Sequence, residues 1–370
     1  MQSHRDSAKH TPFTEEQWQA HADNWNAWWR HDTDQPMLIA NGGKPSTRAR
    51  PDWWRGHFTS IPFDVPAEAV AEELWDGIAN TIHYGDSWPS CWMNFGPGIG
   101  AGFLGGGVVP SPSTTWFTQG IWEGKDLRDI KPEYDPDNEW LKRVRDIMHA
   151  CVAKFDGRAT IGFSDIGGNL DIAASLRDTQ TLLTDTYDDP DGVTALAQRI
   201  TAIWQRFYTE ERDILARTGR GFRSWLPLWA PGGTYELQSD FCYMISPAQF
   251  ERWVLPDLVA CCEFVEYPIY HLDGLGELPH LDMILSIEKL RGVQWNPGDG
   301  NPPATTYRDV LRRIRAAGKL VQIDNRFSDV LTLAKEFPLE GFAIGVGWIP
   351  NDTDPAAALA EIRRVNKGVK

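Results

Sequence analysis

Residues 246–274 read SPAQFERWVLPDLVACCEFVEYPIYHLDG, and this stretch contains one complete unit of the pattern that decides the fold. Ser246 is a suitable N-cap, and Pro247 suits the first turn of the helix that the spacing predicts over Pro247–Phe264. A short apolar run, Pro268–His271, follows the helix, and Gly274 permits a sharp turn after it. The stretch therefore predicts a helix that leads into a buried strand.

Further short apolar runs recur along the chain, and most are followed by a helical pattern. The predicted strands are Pro36–Ala40, Ser90–Asn94, Ala159–Phe163, Phe222–Leu228, Pro268–His271, Gly292–Trp295, Lys319–Ile323 and Gly341–Ile344. Helices are predicted between the later strands at Thr306–Ala317 and Asp329–Glu336. Strands that alternate with helices need crossover connections and form a parallel sheet, and eight such strands favour a closed barrel.

The sequence therefore predicts an α/β fold, a (β/α)8 TIM barrel with an N-terminal helical extension. Helical spacing of tryptophans, with Thr14 as N-cap and Gln17 at its N3 position, predicts the helix Thr14–His31. Neither a repeat nor a long Gly/Ser linker divides the chain, so we expect one domain over residues 1–370. Residues 1–35 would form the extension and residues 36–370 the barrel, with residues 40–88 as loops and helices over its mouth.

Charge and cysteine content limit the classes of function. The 370 residues include 36 basic and 51 acidic side chains, a net charge of −15, which disfavours nucleic acid and anionic membranes as partners and favours a small-molecule substrate. The five cysteines are an odd number without C-x-x-C spacing, so we expect reduced thiols and a cytoplasmic location. No stretch has the roughly 20 apolar residues of a membrane span, and no dinucleotide or P-loop motif occurs.

Polar and aromatic residues at the predicted strand ends are the candidate site residues, because TIM-barrel chemistry lies at the carboxyl ends of the strands. His271 and Asp273 are two apart on one strand, so their side chains share a face and can act as a metal pair or as a proton-transfer pair. Asp240, or alternatively Cys242, is the expected third ligand. The predicted catalytic residues are His271, Asp273, Asp240 and Asp165, and the predicted substrate-binding residues are Asn94, Trp229, Tyr243 and Trp295.

Four segments together resemble the uroporphyrinogen decarboxylase superfamily. They are residues 240–250 (DFCYMISPAQF), 270–274 (YHLDG), 294–298 (QWNPG) and 165–171 (DIGGNLD). The resemblance covers most of the chain and implies a (β/α)8 fold. The superfamily includes porphyrinogen decarboxylases, corrinoid-dependent methyltransferases and uncharacterised relatives, and this chain is most similar to the last group.

The same comparison shows where the chain departs from these relatives. Asn94 stands where the decarboxylases have an aspartate, and Gly345-Val346-Gly347 stands where they have a histidine between two glycines. Without a carboxylate to stabilise the pyrrole nitrogens, porphyrinogen decarboxylation loses its electrostatic support. The methyltransferases hold zinc through a His-x-Cys turn and a distant cysteine; His271 matches that histidine, but Asp273 replaces the cysteine and the distant cysteine is absent.

These observations rank the functions without deciding among them. The first expectation is a one-carbon (methyl) transferase with a His271/Asp273 site, zinc as the metal and a corrinoid or folate as the methyl carrier. The resemblance also implies a homodimer and a corrinoid protein as partner. The alternatives are a hydrolase or lyase acting on a sugar-like substrate, with carboxylates as acid and base and tryptophans as stacking surfaces, and a ligand-binding barrel without catalysis.

Overall fold

The computed structural model describes residues 5–43, 48–54 and 56–369. Its strands are β1 Lys9–His10, β2 Met37–Gly43, β3 Thr81–Gly85, β4 Ser90–Met93, β5 Gly107–Pro110, β6 Thr115–Thr118, β7 Thr160–Ser164, β8 Phe222–Arg223, β9 Trp229–Ala230, β10 Thr234–Leu237, β11 Tyr267–Asp273, β12 Gly292–Asn296, β13 Leu320–Arg326 and β14 Phe342–Gly347. Its α-helices are α1 Glu15–Trp29, α2 Ala67–Ala79, α3 Gly100–Phe103, α4 Glu139–Phe155, α5 Asn169–Arg177, α6 Thr179–Asp188, α7 Pro190–Leu215, α8 Pro247–Trp253, α9 Leu255–Phe264, α10 Leu281–Leu285, α11 Arg308–Ala316, α12 Phe327–Ala334 and α13 Pro355–Asn366.

The strands form a mixed α/β architecture with a large parallel sheet. The sheet has the order β1-β3-β2-β14-β13-β12-β11-β10, and its six strands from β2 to β10 in that order are parallel. A second sheet has the order β4-β7-β8-β9, and β5 and β6 form a separate hairpin. Within the described ranges no ladder joins β2 to β4 or β7 to β10. The parallel α/β class is therefore observed, and closure into a barrel stays a prediction.

The predicted strand Phe222–Leu228 is wrong in extent. Only Phe222 and Arg223 are strand, and they turn back in a hairpin with β9. The parallel neighbour of β11 is β10, which the sequence analysis missed. Glu236 interrupts the apolar pattern of β10, and Pro227 has no N–H to continue a ladder through the predicted strand.

Local signals at the helix ends are confirmed, but one predicted helix is divided. Thr14 and Ser246 both form capping boxes, with Gln17 and Gln249 as the N3 partners. The helix predicted over 247–264 splits at Val254 into α8 and α9. Pro256 lies in the first turn of α9, where a backbone N–H would have no partner within the helix, so its absence costs nothing there. The same missing N–H prevents α8 from continuing through this position.

Helix α1 packs its apolar face against the amino-terminal ends of the parallel strands, and together they form a buried hydrophobic cluster. In this cluster, four indoles surround the imidazole of His21 at ring-centroid distances of 5.1 to 6.2 Å; they belong to Trp18, Trp25, Trp88 and Trp229. Neither nitrogen of the ring has a hydrogen-bond partner within residues 5–43, 48–54 and 56–369. Burial therefore lowers the pKa of His21 well below its usual range, and the ring is neutral in the folded protein.

This burial predicts an acid-sensitive fold. An unfolded histidine binds a proton near pH 6.5, whereas folded His21 does not, so stability falls as the pH drops below that value. Between pH 7.5 and pH 5 the loss from His21 is about 2 kcal/mol. In urea titrations at the two pH values, His21→Leu should show that much less pH dependence than the parent chain. His10→Gln, at an exposed position, is the control, and an unchanged pH dependence in His21→Leu would contradict the prediction.

Candidate metal and substrate site

Asp240, His271 and Asp273 form a compact group at the carboxyl ends of two neighbouring strands. One ligand atom of each lies within 4.8 Å of the corresponding atoms of the other two. His271 and Asp273 are two residues apart on β11, so their side chains share a face. Asp240 begins the 3-10 helix that follows β10. Since β10 and β11 pair in parallel, with Leu237 opposite Tyr270, the residues beyond Leu237 reach the end of β11.

The next strand, β12, holds two of these three side chains in position. The Nδ1–H of His271 donates to Oε1 of Gln294, which leaves Nε2 as the electron-pair donor of the ring. Nδ2 of Asn296 donates to Oδ1 of Asp273 over 2.7 Å. Gln294 and Asn296 are the register partners of His271 and Asp273. Such supporting bonds fix the orientation of metal ligands, and here they come from the QWNPG segment.

Gln294 also acts on a carboxylate that borders a large cavity at the strand ends. Burial raises the pKa of Asp324, and the side chains of Gln322 and Gln294 oppose that rise. Nε2 of Gln322 donates a hydrogen bond to Oδ2 of Asp324 over 2.9 Å. Asp324 opens into a cavity of about 870 Å³ bordered by the ends of β2, β13 and β14. A Cβ at Gly345 would overlap Oδ1 of Asp324, so a glycine is needed there for this carboxylate to keep its place.

Acidic side chains are crowded around Asp240. Burial raises the pKa of Asp165 and of Glu277 well above the usual range, with the charge of Asp240 as the next cause. The same two causes raise the pKa of Asp171 to about 7. For Asp240, partial removal from water raises the pKa, His271 lowers it and Asp273 raises it. A cluster of this kind keeps protons at neutral pH or attracts a cation.

Two predicted tryptophans lie away from this group. Trp229 is buried against α1, where its backbone carbonyl accepts a hydrogen bond from the indole of Trp29 over 2.8 Å. Trp295 is buried on the other side of β12, with its ring against Tyr307 at 5.4 Å. Gln294 shares the face of His271, so the next residue, Trp295, points to the opposite face of the sheet.

Two other tryptophans occupy the expected aromatic position. The Trp225 ring meets the His271 ring edge-on at 4.9 Å, and Trp92 lies 6.4 Å from Trp225. Both indole N–H groups are shielded and have no hydrogen-bond partner among the described residues. The sequence analysis missed both. Trp225 lies in a segment that the sequence predicts to be a barrel strand. Its ring contacts His271 because the chain instead forms the hairpin of β8 and β9.

The remaining predicted residues lie at the same carboxyl ends but make separate contacts. Asp165 accepts a hydrogen bond from the N–H of Gly167 over 3.0 Å. Asn94 accepts one from the N–H of Gly96 over 3.2 Å, directly after β4. Tyr243 is exposed, with its ring close to Gly276. Of the predicted set, Asp240, His271 and Asp273 converge, and Asp165 interacts with Asp240 through charge.

The cysteines do not supply a sulfur ligand to this group. All five are buried, and burial raises the pKa of Cys242, the one in the neighbouring 3-10 helix. Its Sγ lies 3.7 Å from the hydroxyl of Tyr270. The ligand set that the structure offers is therefore one imidazole and two carboxylates, which suits a divalent cation of harder character than a thiolate-rich site does.

The comparisons with known proteins identify a similar fold. A methyltransferase from Methanosarcina mazei matches with a TM-score of 0.56 over 96% of this chain and 99% of its own, at 12% sequence identity. No protein-family model matches the chain, and no curated protein matches it. At this identity the likeness establishes the fold. In the part of the chain that the structure describes, no helix is both long and apolar enough to span a membrane.

Proposed function

We propose that the protein is a methyltransferase-like enzyme in which Asp240, His271 and Asp273 hold a divalent metal ion, with zinc as the first candidate. The observation that carries the proposal is the convergence of these three ligands, two of which are oriented by hydrogen bonds from β12. The fold shared with a methyltransferase over nearly the whole chain supports it. We also propose that the parallel strands belong to a (β/α)8 barrel of the uroporphyrinogen decarboxylase type.

The chain's own residues have defined parts in this proposal. Nε2 of His271 and the carboxylates of Asp240 and Asp273 would hold the ion, while Gln294 and Asn296 keep the ligands in place. A bound zinc ion supplies Lewis acidity that lowers the pKa of an acceptor group. The ring of Trp225 contacts the imidazole edge-on and so helps to fix its orientation. A corrinoid or folate remains the proposed methyl carrier, and a homodimer and a corrinoid protein remain proposed partners.

The metal content of the purified protein tests this proposal. We expect about one zinc ion per chain by inductively coupled plasma mass spectrometry and much less in Asp273→Asn, which removes one anionic ligand. Asp282→Asn, at an exposed carboxylate that pairs with Arg313, is the matched control and should keep its zinc. A parent chain without stoichiometric metal, or an Asp273→Asn chain with an unchanged content, would contradict the metal site.

One observation favours a second candidate, a hydrolase or lyase for a hydroxylated substrate. The Trp225 ring contacts His271, Trp92 lies beside Trp225, and His271 lies in one group with Asp240, whose pKa burial raises. Aromatic rings next to an acid–base group suit a sugar-like substrate. This candidate predicts glycoside-cleaving activity that survives dialysis against a chelator and is lost in Asp273→Asn. Loss of the activity with the metal would instead favour the first proposal.

A further inference from the structure

A second cavity lies between β2 and β4, two strands that no ladder joins within the described ranges. Its volume is about 490 Å³, and it lies beneath α2. The polar side chains among its lining residues include Asn41, Arg50, Trp54, Glu73, His83 and Arg223. This cavity and the one beside Asp324 share Ile39, Asn41 and Pro227, so the two are adjoining parts of one cleft.

Arg223 presents unused hydrogen-bond donors to this cavity. A guanidinium group has five N–H bonds. In Arg223, Nε donates to the carbonyl of Leu226 over 3.3 Å and Nη1 donates once to Oγ of Ser90 over 2.7 Å. Three N–H bonds thus have no acceptor among the described residues, and their geometry is the planar fork that binds carboxylates and phosphates.

Two neighbouring side chains add further donors. The amide oxygen of Asn41 accepts from Oγ of Ser87 and lies 3.2 Å from Nδ1 of His83, so the amide NH2 is left for a ligand. The indole N–H of Trp54 is shielded and finds no acceptor in the part of the chain that the structure describes, and Arg50 lies over the same ring at 5.6 Å. The uncommitted polar groups of this cavity are therefore mainly donors.

No acidic side chain forms an ion pair with Arg223 among the described residues. Glu73 is already paired with Arg48. Burial raises the pKa of Glu236 to about 7, and Arg223 opposes that rise. Burial also raises the pKa of Cys91 to about 12, so that residue faces Arg223 as a neutral thiol. The described lining thus carries two arginines, Arg50 and Arg223, against one carboxylate, Glu73, and a low-dielectric cleft concentrates the field of such a cationic pair.

We propose that this cavity is a binding site for the oxyanion group, carboxylate or phosphate, of a small molecule, with Arg223 as its principal ligand and Arg50, Asn41 and Trp54 as supporting donors. Occupancy would satisfy donors that the protein leaves without acceptors. If the proposed function holds, the rest of that molecule extends past Asn41 toward Asp324 and Gln294, and the substrate is an organic anion. Only this last step rests on the proposed function.

Calorimetric titration with succinate, inorganic phosphate and the uncharged succinamide tests the site. We expect succinate or phosphate to bind and succinamide not to bind, and the tighter of the two anions identifies the oxyanion. Arg223→Gln should weaken that binding at least about tenfold, since a charged hydrogen-bonded pair is lost. Arg223→Lys should restore it in part, because it keeps the charge without the planar fork.

Two further variants keep the test decisive if Arg223→Gln fails to fold. Arg50 is exposed and Trp54 is only half-buried, so Arg50→Gln and Trp54→Phe should both fold. Trp54→Phe removes the N–H donor and part of the ring, Arg50→Gln removes a charge, and both variants should bind the anion more weakly. Arg252→Gln removes an exposed arginine paired with Asp191 and should leave the affinity unchanged. No binding by the parent chain, equal binding of succinamide, or unchanged affinity in Arg50→Gln and Trp54→Phe would overturn the proposal.

A variant at the proposed metal site separates the two proposals. His271→Ala should lose metal but still bind succinate or phosphate with the parent affinity, because His271 does not line this cavity. If the anion instead binds at the metal, its affinity falls in His271→Ala and the anion site is refuted while the metal site stands. A metal-free parent chain that binds the anion would refute the metal site alone.

Discussion

Replacement of His271 by alanine is expected to abolish stoichiometric zinc binding while the fold is retained. The variant removes the only nitrogen ligand of the group formed with Asp240 and Asp273. It leaves two carboxylates close together, and their repulsion opposes the geometry that the ion requires. The expected result is a fall in zinc content from about one ion per chain to near zero, measured together with an unchanged far-ultraviolet circular dichroism spectrum.

A graded variant and a control make this result specific. Gln294→Leu removes the acceptor of the His271 Nδ1–H and should weaken zinc binding by about 10- to 100-fold without removing a ligand. His149→Ala, at an exposed histidine on α4, should retain the metal. Equal zinc content in His271→Ala and His149→Ala would show that the ion is held elsewhere or not at all.

Replacement of Asp86 by alanine is expected to lower the free energy of unfolding by about 3 to 5 kcal/mol. Asp86 is 2% exposed and accepts bonds from Nε of Arg5 over 2.7 Å, the N–H of Leu38 over 2.9 Å and Nη2 of Arg363 over 2.7 Å. It therefore joins the N-terminal segment, β2 and α13. The alanine variant leaves the largely buried guanidinium of Arg363 without one of its partners.

Urea unfolding of three chains checks this expectation. Asp86→Asn keeps the shape of the side chain but not its charge, so it should be less damaging than Asp86→Ala if hydrogen bonding contributes beside the charge. Asp282→Ala breaks an exposed pair with Arg313 and should cost at most about 1 kcal/mol. A loss below about 1 kcal/mol in Asp86→Ala would mean that this network does not stabilise the fold.

Much of the fold was predictable because its signals are local. Helix caps at Thr14 and Ser246, and most apolar strands, are determined by residues within a few positions of one another. One departure, the division of the helix predicted over 247–264, has a local cause in Pro256, whereas the missed strand β10 depends on a contact outside the strand. The buried strand β10 contains Glu236, whose carboxylate accepts from the N–H of Leu226 over 3.5 Å, so the polar residue that masked the strand bonds with the hairpin segment.

The candidate site also has one part that the sequence determines and another that depends on the tertiary structure. The sequence by itself determined that His271 and Asp273 share a face, because alternation along a strand is a property of the local backbone. Only the tertiary structure decided that Trp295 points away from His271, because the pairing register of β11 with β12 sets that direction. It also decided that Trp225 contacts His271, because the hairpin of β8 and β9 places the ring there. The place of Asp240 likewise follows from the parallel pairing of β10 and β11. Side-chain alternation is encoded within a few residues, whereas the approach of two strand ends depends on packing between segments far apart in the chain.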